Sequence, residues 1–221
     1  MTDPLLSPET AVRDIAAKLP GAAGIFRDAD ISFCCGGGLS LREAAAQAGL
    51  ELAALTGRLQ ALIDRAAEDA PQDTQGLIGH IMERYHATHR EELNFLVQLA
   101  NRVEMVHGDH DEAPLGLTEA LIALRDDLDA HMSKEESVLF PAILSGAGAL
   151  LAEPLRVMNE EHTGTTDLLR RIEHVTHGLA LPVGACGSWT ALYTGLRKLC
   201  DDVVAHIHLE ETILFPRALA A

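Results

Sequence analysis

The sequence predicts an all-α protein: an up-down four-helix bundle preceded by a small helical domain. Three observations carry that reading. Alanine and leucine dominate a chain that is 48% apolar but only 4% aromatic, the composition of helix-rich protein. No stretch alternates apolar and polar residues as a half-buried strand would. From about residue 74 onward, apolar residues recur at helical spacing over runs much longer than strands.

The elements follow in order. Ser7-Pro8 offers a helix start with proline in the first turn, and Pro20-Gly21 a stop. In "SLRE", Ser40 and Glu43 make a capping box that opens a helix just after the unusual run "CCGGG" at 34–38. A further helix covers roughly Glu51 to Glu68, and "EDAPQDTQG" reads as a linker. The domains are therefore 1–70 and 74–221. Thr74 is placed to cap a helix reaching about His107, and Thr118 one that ends just past Pro141. A third runs from about Pro154 to His177 and a fourth from Ser188 to about Ala218. Helices of ~25–30 residues are ~40–45 Å long, and four with short connections form a bundle.

Charge and composition exclude several classes. Thirty-three acidic residues against 17 basic ones give a formal charge of −16. That field repels phosphate backbones, so nucleic acid is not the expected partner and a cation is. No apolar run reaches the ~18 residues of a membrane span, and the start lacks the basic and apolar regions of a signal peptide. A cytoplasmic protein with reduced thiols is expected. Cys34 and Cys35 suit neither a structural disulfide, which adjacency strains, nor a zinc site, which wants C-x₂-C pairs.

The chemistry lies in a repeat. Residues 131–141 read "HMSKEESVLFP" and residues 206–216 "HIHLEETILFP", both H-x₃-E-E-x₂-L-F-P. His86 stands 45 residues before His131, and His162 stands 44 before His206. A histidine at i and a glutamate at i+4 share one helix face, so both reach one point. Two such helices, with a histidine from each of the other two, gather imidazoles and carboxylates in the bundle core. That donor set, without thiolate, selects iron, manganese or zinc. A single His-x₃-Glu is ordinarily an exposed pair, but duplication at matching offsets argues for a dinuclear site. Glu136 and Glu211 project about 100° away from their neighbours and read as exposed. His107 lies six turns beyond His86, ~32 Å along a straight helix, and by spacing is a helix-end residue. His80, His89, His110, His174, His177 and His208 are given no ligand role, and Cys186 and Cys200 read as small hydrophobes.

The stretches "FCCGG" (33–37), "RYHATHRE" (84–91), "VEMVH" (103–107), "VMNEEH" (157–162) and "HIHLEETILFPRAL" (206–219) carry a further signal. With the first repeat copy, they make the chain resemble the iron–sulfur cluster repair family called repair of iron centres (RIC), which has a hemerythrin-like di-iron domain. The resemblance spans both domains. It implies His86, His107, His131, Glu135, His162, His206 and Glu210 as ligands of two iron ions, an oxo- or hydroxo-bridged pair. His107 enters on this ground alone. Ser32 stands where the family often has an acidic residue.

Five imidazoles, two bridging carboxylates and a bridging oxygen would fill roughly eleven of the twelve positions of two octahedral irons, leaving about one for O₂ or NO. Three functions fit: an O₂ or NO carrier or sensor, an NO-reducing enzyme, and an iron donor to damaged iron–sulfur proteins. The N-terminal domain favours the third, with non-enzymatic iron supply the expectation. Thiolate is a good iron ligand, and a glycine turn admits close approach. Cys34 and Cys35 are accordingly expected to transfer iron or touch the client, aided by the N–H groups after Ser40. Client, electron donor and a homodimeric state stay open.

Overall fold

The structure, a computed structural model, describes residues 4–33, 38–69 and 71–220, and only the backbone of 65–69. Among the described residues all regular elements are helical. The chain divides into two compact units, Met1–Ala70 and Pro71–Ala221.

The first unit holds α1 (Val12–Lys18), α2 (Ala22–Asp28), α3 (Leu41–Gln47) and α4 (Leu52–Asp69). The chain enters α1 at Val12 rather than at Pro8, because residues 8–11 turn to pair with the start of α3. Val12 N–H donates to Leu39 O and Leu41 N–H to Thr10 O. Ser40 and Glu43 form the expected reciprocal cap. Val12, Ile15, Leu19, Phe26, Leu41, Leu55 and Leu59 make its core. Phe33 packs against Phe26 with ring centroids 6.0 Å apart, pinning the chain just before the cysteine pair. Cys34 and Cys35 themselves lie outside the described residues.

The second unit is built from four long rods. The first joins α5 (Thr74–Ile81), a π-helical turn (Met82–His86) and α6 (Ala87–His107). The second joins α7 (Leu117–Lys134), a π turn (Glu135–Leu139) and α8 (Phe140–Leu144). The third is α9 (Ala152–Val175), and the fourth joins α10 (Gly187–Leu209), a π turn (Glu210–Leu214) and α11 (Phe215–Ala220). Their caps differ from expectation by one or two residues. Asp73, not Thr74, accepts the Gly76 N–H at 2.7 Å. Gly116, in the left-handed region at φ 87°, precedes α7, while the Thr118 hydroxyl and amide donate to Glu104. Pro141 and Pro216 each stand one residue beyond a π turn, after Phe140 and Phe215. A proline ring meets the carbonyl four residues back, and the wider turn opens that gap.

Two apolar cores run through the bundle. One gathers Leu93, Leu96, Leu121, Leu124, Trp189, Leu192 and Leu196 among others. The second gathers Ile78, Ile81, Phe140, Ile143, Leu155, Leu214 and Phe215. Along every rod the repeat's histidines and first glutamates fall between these two sets. The polar layer is therefore sealed by packed side chains on both sides, a dry setting that strengthens charge interactions inside it.

Candidate metal centre

Each rod contributes one imidazole to that layer, and the second and fourth each add a carboxylate. His86, His131, Glu135, His162, His206 and Glu210 are all buried, each at most 3% exposed. They form two overlapping groups, His86, Glu135, His206, Glu210 and His131, Glu135, His162, Glu210, with ligand atoms within 4.8 Å of one another. The two carboxylates belong to both groups. Glu135 turns Oε2 toward His86 Nε2 at 3.5 Å and Oε1 toward His131 Nε2 at 3.4 Å. Glu210 turns Oε1 toward His206 Nε2 at 3.0 Å and Oε2 toward His162 Nε2 at 3.1 Å.

Nε2 of His86 lies 3.0 Å from Nε2 of His206, and Nε2 of His162 3.1 Å from Nε2 of His131. Three of the outer nitrogens are held by carboxylates: His86 Nδ1 by Glu136 at 2.7 Å, His131 Nδ1 by Glu161 at 2.9 Å and His162 Nδ1 by Glu211 at 3.0 Å. A carboxylate on Nδ1 places the proton there and leaves the Nε2 lone pair facing inward. Facing lone pairs repel unless something positive stands between them. Both Glu135 oxygens are buried without a hydrogen-bond partner. Four ring nitrogens and four carboxylate oxygens aimed at one buried space suit cations.

Electrostatics agrees. Burial, helped by the Glu210 charge, pushes Glu135 above the usual carboxylate range. Burial would push Glu210 up too, but the His206 charge and hydrogen bonds from His162 and His206 hold it well below that range. His86 falls to about 4, through burial and the neighbouring His206. Burial works against a charged His162 as well, yet its bonds to Glu210 and Glu211 raise it to about 10. Protons thus share out among groups that cannot all ionise together.

The structure brings six of the seven expected ligands together and leaves one apart. α6 is unbroken through His107, about 30 Å along the axis from its start at 1.5 Å per residue. The chain does not turn back within α6 to carry His107 to the layer. His107 Nε2 instead sits 3.1 Å from Cys186 Sγ, and its ring packs on Trp189 with centroids 5.0 Å apart. The layer thus offers four imidazoles and two shared carboxylates to a cation.

Glu136 and Glu211 are not bystanders. Being about 100° round the helix from Glu135 and Glu210 turns each toward the histidine of the neighbouring rod. Their recurrence at one offset in both repeat copies was the signal for this, the same that marks the first acid. Glu161, beside His162, carried no such signal. Arg90 also grips Glu136 at 2.8 Å, and Lys134 grips Glu161 at 2.6 Å. Of the remaining histidines, His110, His174 and His177 are exposed and His80 and His208 half-buried. His89 is fully buried beside His206, with neither ring nitrogen hydrogen-bonded.

Residues 77–218 match the family described as the Hemerythrin HHE cation binding domain. The chain belongs to that family. Residues 8–63 match a second, described as a domain of unknown function, DUF542. Over 211 residues the chain is 42% identical to a "Probable iron-sulfur cluster repair protein" of Haemophilus influenzae, covering 93% of this chain and 95% of that one. It is 41% identical to "Iron-sulfur cluster repair protein YtfE" of Escherichia coli O157:H7, covering 94% and 95%. Hemerythrin-family membership agrees with a cation site in the six-residue layer, and the full-length likeness places the chain among the iron–sulfur cluster repair proteins. No helix among the described residues is long and apolar enough to cross a membrane.

Proposed function

We propose that the second unit holds two iron ions and that the chain supplies iron to iron–sulfur proteins whose clusters nitrosative or oxidative stress has damaged. The observation that carries this reading is the pairing of two His-His-Glu-Glu groups through shared Glu135 and Glu210. His86 and His206 would hold one ion and His131 and His162 the other, with both carboxylates common to the pair. When bound, iron is both cargo and a centre open to small ligands such as NO or O₂. Neutral imidazoles suit a site that must give its metal up. An all-thiolate cage would hold the ion harder.

The residues divide the remaining work. Glu136, Glu161 and Glu211 aim the imidazoles, and the apolar cores on either side exclude water. Cys34 and Cys35 receive iron or meet the client, as a soft ligand pair on a glycine run would. The names of the relatives support cluster repair over a carrier or sensor role. A cytoplasmic setting and iron–sulfur clients follow from the same reading.

The test is reactivation. A cluster enzyme inactivated by NO is mixed anaerobically with iron-loaded protein, or with the same amount of free ferrous iron. Faster and fuller recovery with the protein, lost in Glu135→Ala and Glu210→Ala, is the expected result. Recovery no better than with free iron, alongside turnover of NO, would replace repair by an NO-reacting function.

A further inference from the structure

The two halves of the repeat can be laid over each other residue by residue. His86 then matches His162, His131 matches His206, and Glu135 matches Glu210. Their surroundings do not match. The residue before the first histidine is Tyr85 in one half and Glu161 in the other. Three after it stand His89 and Thr165. Four before the second histidine both halves have an aspartate, Asp127 and Asp202, but with different partners.

These differences all act on one side. Glu161 holds His131 Nδ1 at 2.9 Å. Its counterpart Tyr85 instead stacks on His206, with ring centroids 5.6 Å apart and planes 6° from parallel. Buried His206 Nδ1 has no hydrogen-bond partner. The Arg84 guanidinium lies 5.0 Å from the Tyr85 ring centroid. Asp202 is taken by Arg84 at 2.8 and 3.0 Å and by Lys198 at 2.7 Å. Asp127 has no such cation: it accepts the Thr165 hydroxyl at 2.7 Å. His89, in the Thr165 position, fixes nothing and adds no negative charge.

Around His86 and His206, the three cations Arg84, Arg90 and Lys198 face the four acids Glu136, Asp129, Asp202 and Glu92. Around His131 and His162, Lys134 alone faces Glu161, Glu211 and Asp127. The second position is the more negative and has a carboxylate behind both imidazoles. The first has one behind His86 only.

We infer that the two metal positions are unequal: His86 and His206 release their ion first, while His131 and His162 retain theirs. This rests on the two-iron reading above and adds which half delivers. A carboxylate behind a ligating imidazole fixes its tautomer and raises its basicity, and losing one typically costs about 10–100-fold in metal affinity. The charge difference acts in the same direction.

The test loads the full chain with two ferrous ions and follows their removal by a chelator under anaerobic conditions. Release in two equal phases, at rates at least about tenfold apart, is expected from the affinity difference. Crystals depleted to one iron per chain should show the anomalous signal between His131 and His162. Glu161→Gln removes the advantage and should bring the slow phase toward the fast one. Tyr85→Glu offers His206 the missing carboxylate and should slow the fast phase. Should Tyr85→Glu fail to fold, the depleted wild-type crystal and Glu161→Gln decide. One common rate, or anomalous signal shared equally or retained at His86 and His206, overturns the inference and leaves the two-iron reading standing. A folded chain that takes up fewer than two irons overturns both. Unequal release without client repair sustains the inference and removes the repair function.

Discussion

Replacing Glu136 by alanine separates this structure from a reading in which only the first acid of each doublet matters. The side chain is 27% exposed and makes two contacts, to His86 Nδ1 at 2.7 Å and Arg90 at 2.8 Å. Arg90 keeps its bond to Asp129 at 2.9 Å, so its loss is that of a partly exposed pair, well under ~1 kcal/mol. His86 is left with a buried Nδ1–H unpaired, which costs about 1–3 kcal/mol. For a chain of this size the melting temperature of the metal-free protein should fall by about 2–12 °C, at ~2–4 °C per kcal/mol. Iron affinity suffers separately, because His86 loses its orientation. A loss of about 10–100-fold is expected, equal to about 1.4–2.7 kcal/mol. The assay is competition with a chelator of known affinity, with Glu135→Ala and Glu160→Ala beside it. Glu135 belongs to both ligand groups, so its loss should abolish tight binding. Glu160, paired only with Arg156 on the surface, should leave it unchanged. Wild-type affinity in Glu136→Ala would refute the orienting role, and a loss as complete as in Glu135→Ala would make Glu136 a ligand.

Four more outcomes follow. His107→Ala should keep two irons per chain, since His107 packs on Cys186 and Trp189, while His86→Ala should lose at least one by elemental analysis. A chain beginning at Pro71 should fold as a helical bundle and bind iron, because all six clustered residues lie within Pro71–Ala221. A helical but iron-free product would assign ligands to the first unit. Replacing Cys34 and Cys35 by serine should leave iron content and optical spectrum intact while client reactivation falls sharply, and normal reactivation would end the thiol proposal. Metal-free protein should melt highest near pH 6.5. His162, raised from 6.5 to about 10, stabilises fully below 6.5 and loses that contribution as pH rises through 10. His86, lowered to about 4, withdraws stability as pH falls from 6.5 through 4. A melting temperature flat from pH 4 to 10 would contradict these shifts.

The buried histidine–glutamate layer was legible because two sequence copies fell at matching offsets, so chemistry and helical geometry pointed to one set of residues. Spacing placed His107 at a helix end, where α6 stops, whereas the family resemblance drew it into the site. What sequence did not show was the reach between rods. Glu136 looks exposed on its own helix, and only the neighbouring rod's position reveals His86 as its partner. Nothing in the sequence around Met82–His86 announces its π turn. In the two repeat copies a proline follows at a fixed distance, a trace interpretable once the turns are seen. The cap at Asp73 rather than Thr74 is the ordinary slippage of helix ends, where adjacent polar residues compete for the same free N–H groups.

The claim on which the rest depends is that one buried layer holds two irons. Crystals of the fully iron-loaded chain, measured on both sides of the iron absorption edge, test it most directly. Two anomalous peaks are expected, one between His86 and His206 and one between His131 and His162, each in contact with Glu135 and Glu210. A single peak at full loading, or iron at His107 in place of either pair, would contradict the account.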